Sequence, residues 1–202
     1  MVEHANTTEN QIFEAALKVF HKKGLTGARM QEIADEAGIN KSMLHYYFRS
    51  KEQLFGQVFL QSFKKFMGSV LPLLNEQNTW EEKIPLVIEH YAQVLQNNPD
   101  LPLFVINELR QNSEGFQSFI KDGPLLNTVF MAQLKEAMQN KTIRQVHPMQ
   151  IWITLTSGII FPFIAEPMLK MTINIQDTSW AHFMDDRKKI MADMVIKYLK
   201  DF

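Results

Sequence analysis

The chain has 202 residues, 46% apolar and 21% charged, enough to bury a full core without disulfides or a structural metal. Cysteine is absent, which excludes a disulfide framework, thiolate zinc sites and cysteine nucleophiles. The net charge of −1 means that any attraction to a charged partner must be local.

The polar opening, residues 1–8, carries neither the basic nor the apolar stretch of a signal peptide, and predicts a cytoplasmic protein. Ile12, Phe13, Ala16, Leu17 and Phe20 recur at helical spacing behind a Thr8/Gln11 capping box, and Gly24 ends the run. A short amphipathic segment with Met30, Ile33, Ala34 and Ala37 stops at Gly38. Asn40 caps a second short helix that carries Met43, Leu44, Tyr47 and Phe48. Ser50-Lys51-Glu52-Gln53 reads as a capping box opening a long helix, with Phe55, Phe59, Phe63, Phe66, Val70 and Leu74 on one face. Thr79-Trp80-Glu81-Glu82 is a third box, and the helix behind it buries Ile84, Val87, Ile88, Tyr91 and Leu95 before Asn97-Asn98-Pro99 breaks it.

Further helices are predicted over 101–112, 124–139, 148–164 and 179–200, with Pro124 and Pro148 as first-turn prolines. The stretch 145–165 has no Asp, Glu, Lys or Arg. It is interrupted by polar residues and prolines and falls short of the roughly 20 apolar residues of a membrane span. It therefore predicts a buried helix and no membrane partner. No segment alternates with period two, so the chain reads as all-α. The shift from short helices to long, Phe- and Met-rich ones predicts a small N-terminal domain over 1–52 and a larger helical body over 53–202.

Residues 30–48 have the spacing of a helix-turn-helix. Ala34 is small where two helices approach, Gly38 follows four residues later where the turn favours positive φ, and Ile33, Ile39 and Leu44 form the apolar wedge. The second helix would place its N-terminal half in a DNA major groove. From Ala37 to Lys51 there is no acid, while Lys41, Arg49 and Lys51 are basic, and Asn40, Ser42, His45 and Tyr46 add donors. Balanced net charge thus hides a locally positive stretch suited to phosphates. Similar helix pairs also occur in proteins that never touch DNA.

The run from Ile12 to Gly24, then Gln31-Glu32-Ile33-Ala34-Asp35-Glu36-Ala37-Gly38-Ile39-Asn40-Lys41-Ser42-Met43-Leu44-His45-Tyr46-Tyr47-Phe48, and Ser50-Lys51-Glu52-Gln53-Leu54 resembles the N-terminal domain of TetR-type repressors. The resemblance covers about the first quarter of the chain. It implies that Ser42, Met43 and His45 meet base edges and that Tyr46 and Lys51 meet backbone phosphates. Arg29 stands where members usually carry Thr or Ser, which removes a helix cap that also binds phosphate; Arg29 can supply the charge but not the cap. The order His45-Tyr46-Tyr47 differs from the commoner Tyr-Tyr-His, so base preference does not transfer.

The resemblance also implies a C-terminal body that dimerises and senses a small molecule. Ile151, Leu155 and Gly158 on one helix, and Ile190, Met194 and Tyr198 on the last, are candidates for a two-fold four-helix interface. Phe63, Phe66, Tyr91, Phe104, Phe130 and Trp152, with Asn107 and Gln133 as polar groups, are candidates to line an apolar pocket, although such stripes also make plain core. The expected function is a ligand-responsive repressor that binds a palindromic operator as a homodimer. The alternatives are a helix-turn-helix regulator answering to a protein partner and a small helical enzyme. Six His residues include no HExxH and no i, i+4 pair, and there is no Walker loop, dinucleotide fingerprint or GxSxG. No catalytic residue, metal site or cofactor is therefore expected.

Overall fold

The computed structural model describes the backbone of residues 2–99, 101–111 and 123–201; the side chains of 2–7, 107–111, 177 and 178 lie outside the description. The described helices, in chain order, are α1 (Val2–Gly27), α2 (Met30–Glu36), α3 (Lys41–Tyr47), α4 (Lys51–Asn75), α5 (Trp80–Asn97), α6 (Leu101–Gln111), α7 (Val129–Gln139), α8 (Pro148–Ile164), α9 (Glu166–Ile173) and α10 (Asp177–Lys200). Among the described residues there is no strand, and the chain is all-α.

Local signals account for most boundaries. Gly24 takes φ 64° and ψ −179°, and the regular helix of α1 kinks there. The Asn40 side chain accepts from the Met43 N–H at 2.7 Å and starts α3. At Thr79 the full reciprocal box is present: Glu82 N–H donates to Thr79 Oγ1, and Thr79 N–H donates to the Glu82 carboxylate at 2.8 Å. The Thr79 N–H and, after it, the Thr79 hydroxyl both donate to the Glu82 carboxylate and hold it below the usual carboxylate range. The box at Ser50 is skewed: Gln53 N–H donates to Ser50 Oγ, but the Gln53 side chain accepts from the N–H of Arg49, one residue early.

Three expectations need correction. α1 begins at Val2, upstream of Thr8, so Thr8 lies inside the helix and does not cap it. The segment expected to be helical from Pro124 is a turn, closed by Leu126 N–H donating to the Gly123 carbonyl; α7 starts five residues later, where Thr128 Oγ1 accepts from Met131 N–H. α9 was not foreseen: α8 ends at Ile164, and a second short helix follows at a bend of 77°. Among the described residues no single helix is long and apolar enough to cross a membrane.

The chain divides into two compact units, Met1–Phe66 with Leu103–Lys121, and Met67–Pro102 with Asp122–Phe202. In the first, Ile12, Phe20, Ile33, Ala34, Leu44, Phe48, Leu54, Phe55 and Phe59 form the core. Aromatic edges tie it together: Phe13 on Phe48 at 5.6 Å, Phe20 on Phe55 at 4.9 Å, and Phe55 on Phe104 at 5.1 Å. In the second unit α5 packs against both α8 and α10. Ile84, Ile88, Tyr91, Ile151, Trp152, Leu155, Ile159, Met184, Met191 and Leu199 are buried there.

Candidate functional site

The best-defined surface feature is the α2–α3 pair of the first unit. α2 ends in a Schellman motif: Ile39 N–H donates to the Ala34 carbonyl at 3.0 Å and Gly38 N–H to the Asp35 carbonyl at 3.1 Å, with Gly38 at φ 67°. That closure needs positive φ, and a side chain at Gly38 would cost about 1–2 kcal/mol. Ile33, Ala34 and Leu44 are fully buried between the helices and α1. With Leu44 facing inward, Lys41, Ser42, Met43, His45 and Tyr46 all face solvent. Tyr46 is 84% exposed and meets the Tyr47 ring edge-on at 5.4 Å.

The charges of the unit are sorted. Glu36 pairs with Lys18 at 3.0 Å and Glu32 with Lys23 at 2.9 Å, both lysines on α1, and Asp35 accepts from Gln31. The Lys23 hydrogen bond, aided by the Arg29 backbone N–H, holds the Glu32 carboxyl below the usual carboxylate range. The acids of α2 are thus matched within α1 and α2, and α3 keeps its positive character. Arg29 is exposed at the start of α2 and makes no side-chain cap, as the sequence indicates.

Two expected contacts are placed differently from the rest. The amide oxygen of Asn40 is committed to the cap of α3. Lys51 is half-buried, and its ammonium donates to the Ala28 carbonyl at 3.1 Å. Conversely, Arg49 is an exposed cation in the α3–α4 turn that sequence reasoning noticed but did not count as a site residue. Its place in the acid-free stretch was the available signal.

The family described as bacterial regulatory proteins, tetR family, matches residues 12–58, which contain all of α2 and α3. A fatty acid metabolism regulator protein from Bacillus subtilis strain 168 is 25% identical over 67% of this chain and 75% of its own length. The transcriptional repressor NicS of Pseudomonas putida is 33% identical, but over only 45% of each chain. Over residues 12–58 this chain is similar to the TetR-type transcriptional regulators. Its fold is shared with the crystal structure of the regulator FadR from Bacillus subtilis in complex with stearoyl-CoA, at a TM-score of 0.66, 20% identity and coverage of 93% and 97% of the two chains.

The residues expected to serve a ligand pocket do not fall into one unit of the chain. Phe63 and Phe66 are partly exposed on α4, and Phe104 is buried beside Phe55 and Phe59 in the first unit. Tyr91, Phe130 and Trp152 are buried in the second unit, where Tyr91 meets Trp152 edge-on at 6.0 Å. Burial pushes the Tyr91 hydroxyl far above its ordinary pKa, so it stays protonated. The Asn107 side chain lies outside the described residues. Gln133 borders an open cleft of about 230 Å³ with Thr79, Trp80, Glu136 and Asn140. Each end of its amide already has a partner: Oε1 accepts from Lys83 Nζ at 3.0 Å and Nε2 donates to the Asn78 carbonyl at 2.9 Å.

The interface candidates also divide. Ile190, Met194 and Tyr198 are 50%, 60% and 54% exposed along α10. Ile151 and Leu155 are instead buried in the core of their own unit, and the apolar residues of α8 that face solvent are Ile153 and Phe161. Gly158 sits against α10 of the same chain: a Cβ there would lie 2.2 Å from the Met191 methyl, and Arg187 donates to the Gly158 carbonyl. That face is thus taken up by packing within the chain, and a larger side chain would require the flexible end of Met191 to move. Among the described residues no group of three or more metal-ligating side chains comes together.

Proposed function

We propose that this regulator binds a palindromic operator as a homodimer and is released from it by a small amphipathic ligand. The observation that carries the reading is α3 itself, whose every outward side chain from Lys41 to Tyr46 is able to contact DNA while Leu44 anchors the helix. In this reading Ser42, Met43 and His45 meet base edges, and Arg29, Lys41, Tyr46 and Arg49 meet phosphates. The protein acts where its DNA is, in the cytoplasm.

The test is binding of the full chain to the DNA upstream of its own gene as salt is varied. Lys41→Gln is expected to weaken binding to all sequences and to reduce the log–log salt slope by about 0.9, the share of one phosphate. His45→Ala is expected to alter which bases are preferred, by about 1–3 kcal/mol at the position it reads. Binding by the wild type that shows no salt dependence would count against the whole reading.

Dimerisation rests on the solvent-facing apolar side chains of α8 and α10: Ile153, Phe161, Ile190, Met194 and Tyr198. Two copies of this surface bury one another under two-fold symmetry, which matches a palindrome. Met194→Asp places a charge in that contact; the expected result is a monomer by sedimentation and loss of tight operator binding. A variant that stays dimeric would move the interface elsewhere.

Phe63 and Phe66 on α4 are the proposed ligand contacts, because they are apolar, aromatic and incompletely buried. The acyl chain and polar head of the stearoyl-CoA bound by FadR exemplify the amphipathic class. A ligand against these rings displaces α4 and changes the separation of the paired recognition helices, which B-DNA requires to match half-sites about 34–36 Å apart. The ligand must prefer the non-binding separation, since equal affinity for both states shifts nothing.

A further inference from the structure

Pro162 is buried inside α8. Proline has no N–H, so the carbonyl four residues earlier, that of Gly158, lacks the donor that an unbroken helix would give it. A helix carbonyl without its donor in a packed unit needs another. Here the donor comes from α10: Arg187 reaches the Gly158 carbonyl through Nε at 3.3 Å and Nη2 at 3.2 Å. Arg187 is half-buried, and among the described residues its other N–H groups have no acceptor in the chain, which leaves them to solvent.

The close approach depends on Gly158. A Cβ there would lie 2.2 Å from the Met191 methyl and 3.3 Å from Arg187 Nη2, so the missing side chain lets both residues of α10 close on the main chain of α8. Gly158 and Pro162, one turn apart, thus form a notch with an unpaired carbonyl in it, and Arg187 and Met191, also one turn apart, fill it. The residues next to the notch carry solvent-facing apolar side chains: Phe161 adjoins Pro162, Ile190 adjoins Met191, and they are 55% and 50% exposed. We infer that Arg187 is a positioning residue for the subunit contact. Its bond to the carbonyl that Pro162 leaves without a helical donor fixes the register of α10 on α8, and so holds Phe161 and Ile190 in one surface for a second copy of the chain. The inference rests on the dimer reading above.

The experiment compares the full-length wild type, Arg187→Met, Pro162→Ala and the double variant, with the dimer dissociation constant measured by sedimentation equilibrium. Methionine keeps an apolar stem and removes the donors. Pro162→Ala returns a main-chain N–H that can serve the Gly158 carbonyl within α8. Arg187→Met is expected to weaken the dimer about tenfold, because each copy must restore the register as the surfaces meet, and by less than about twofold in the Pro162→Ala background. An equal loss in both backgrounds would mean that Arg187 does not act through that carbonyl, and overturns the inference. So does an unchanged dissociation constant in Arg187→Met. The same cycle is run for urea unfolding on the Met194→Asp background, where subunit contact plays no part, so the tie is tested even where Pro162→Ala prevents assembly by itself. There Arg187→Met is expected to lower the urea midpoint, and Pro162→Ala to abolish that effect; an equal lowering in both overturns the tie. A wild type that sediments as a monomer, with the unfolding cycle as expected, removes the dimer reading and with it the consequence for Phe161 and Ile190.

Discussion

Phe48→Ala is expected to destabilise the first unit by about 3–5 kcal/mol, a large part of the 5–15 kcal/mol by which a domain is usually stable. Phe48 is 2% exposed, terminates α3, and meets Phe13 edge-on at 5.6 Å. Its ring is what presses the C-terminal end of α3 onto α1, while Leu44 holds the middle. Truncation leaves a cavity between α1 and α3 and frees the helix that carries the outward side chains. DNA binding is expected to fall with it, even though Phe48 faces away from the proposed contact surface. Urea unfolding of the variant, followed by helical circular dichroism, checks the stability; a loss under 1 kcal/mol would mean that the site collapses around the missing ring. Tyr47, only partly buried and adjacent in sequence, provides the contrast, because its ring leaves the core intact when removed.

The second large effect lies in the other unit, where Lys83 is completely buried. Its ammonium bonds Gln133 Oε1, and Gln133 in turn donates to the Asn78 carbonyl. Gln133→Leu is expected to cost about 1.5–3 kcal/mol, the range for a hydrogen bond to a charged group, because the ammonium stays buried while its acceptor is gone. Lys83→Met is expected to cost far less, since an apolar replacement removes the charge along with its need. The pair of measurements is more telling than either alone: equal losses would mean that packing, and not the buried charge, sets the cost.

Burial also gives Lys83 a pH signature. Desolvation lowers its pKa from the ordinary 10.5, against a smaller opposing pull from Glu76. The folded state therefore binds this proton less tightly than the unfolded state. The resulting penalty is complete below the lowered folded value and is relieved as pH rises from there toward 10.5. Across that window the stability of the wild type is expected to rise relative to Lys83→Met; a difference that is flat with pH would contradict the assignment.

How much of this could be read in advance differs with the kind of feature. Caps are local chemistry, so Asn40 and Thr79 were legible from one residue and its neighbours three positions on. Gly38 was legible because a short turn between two apolar stripes has few closures, and the Schellman bonds supply one. Thr8 misled because α1 continues upstream through a polar stretch with no apolar period to announce it. Pro124 misled because a proline in a turn and a proline in a first helical turn need the same φ. At the site, exposed residues of a seven-residue helix followed directly from the burial of Leu44. Lys51 did not, since its partner is a main-chain carbonyl that sequence does not mark. Ile151 and Leu155 share a helix with Ile153 and Phe161, and a helix apolar nearly all round does not declare which side faces its own core. The same ambiguity hides any pocket among Tyr91, Phe130 and Trp152.

Arg29 places opposite demands on one position. A threonine there would return a cap worth about 1 kcal/mol to α2 and would subtract an exposed cation from the start of that helix. Under the proposed DNA-binding reading, that exchange gives up the charge of a phosphate contact and keeps only a hydroxyl donor, so stabilising the fold and attracting the polyanion pull this one position in different directions.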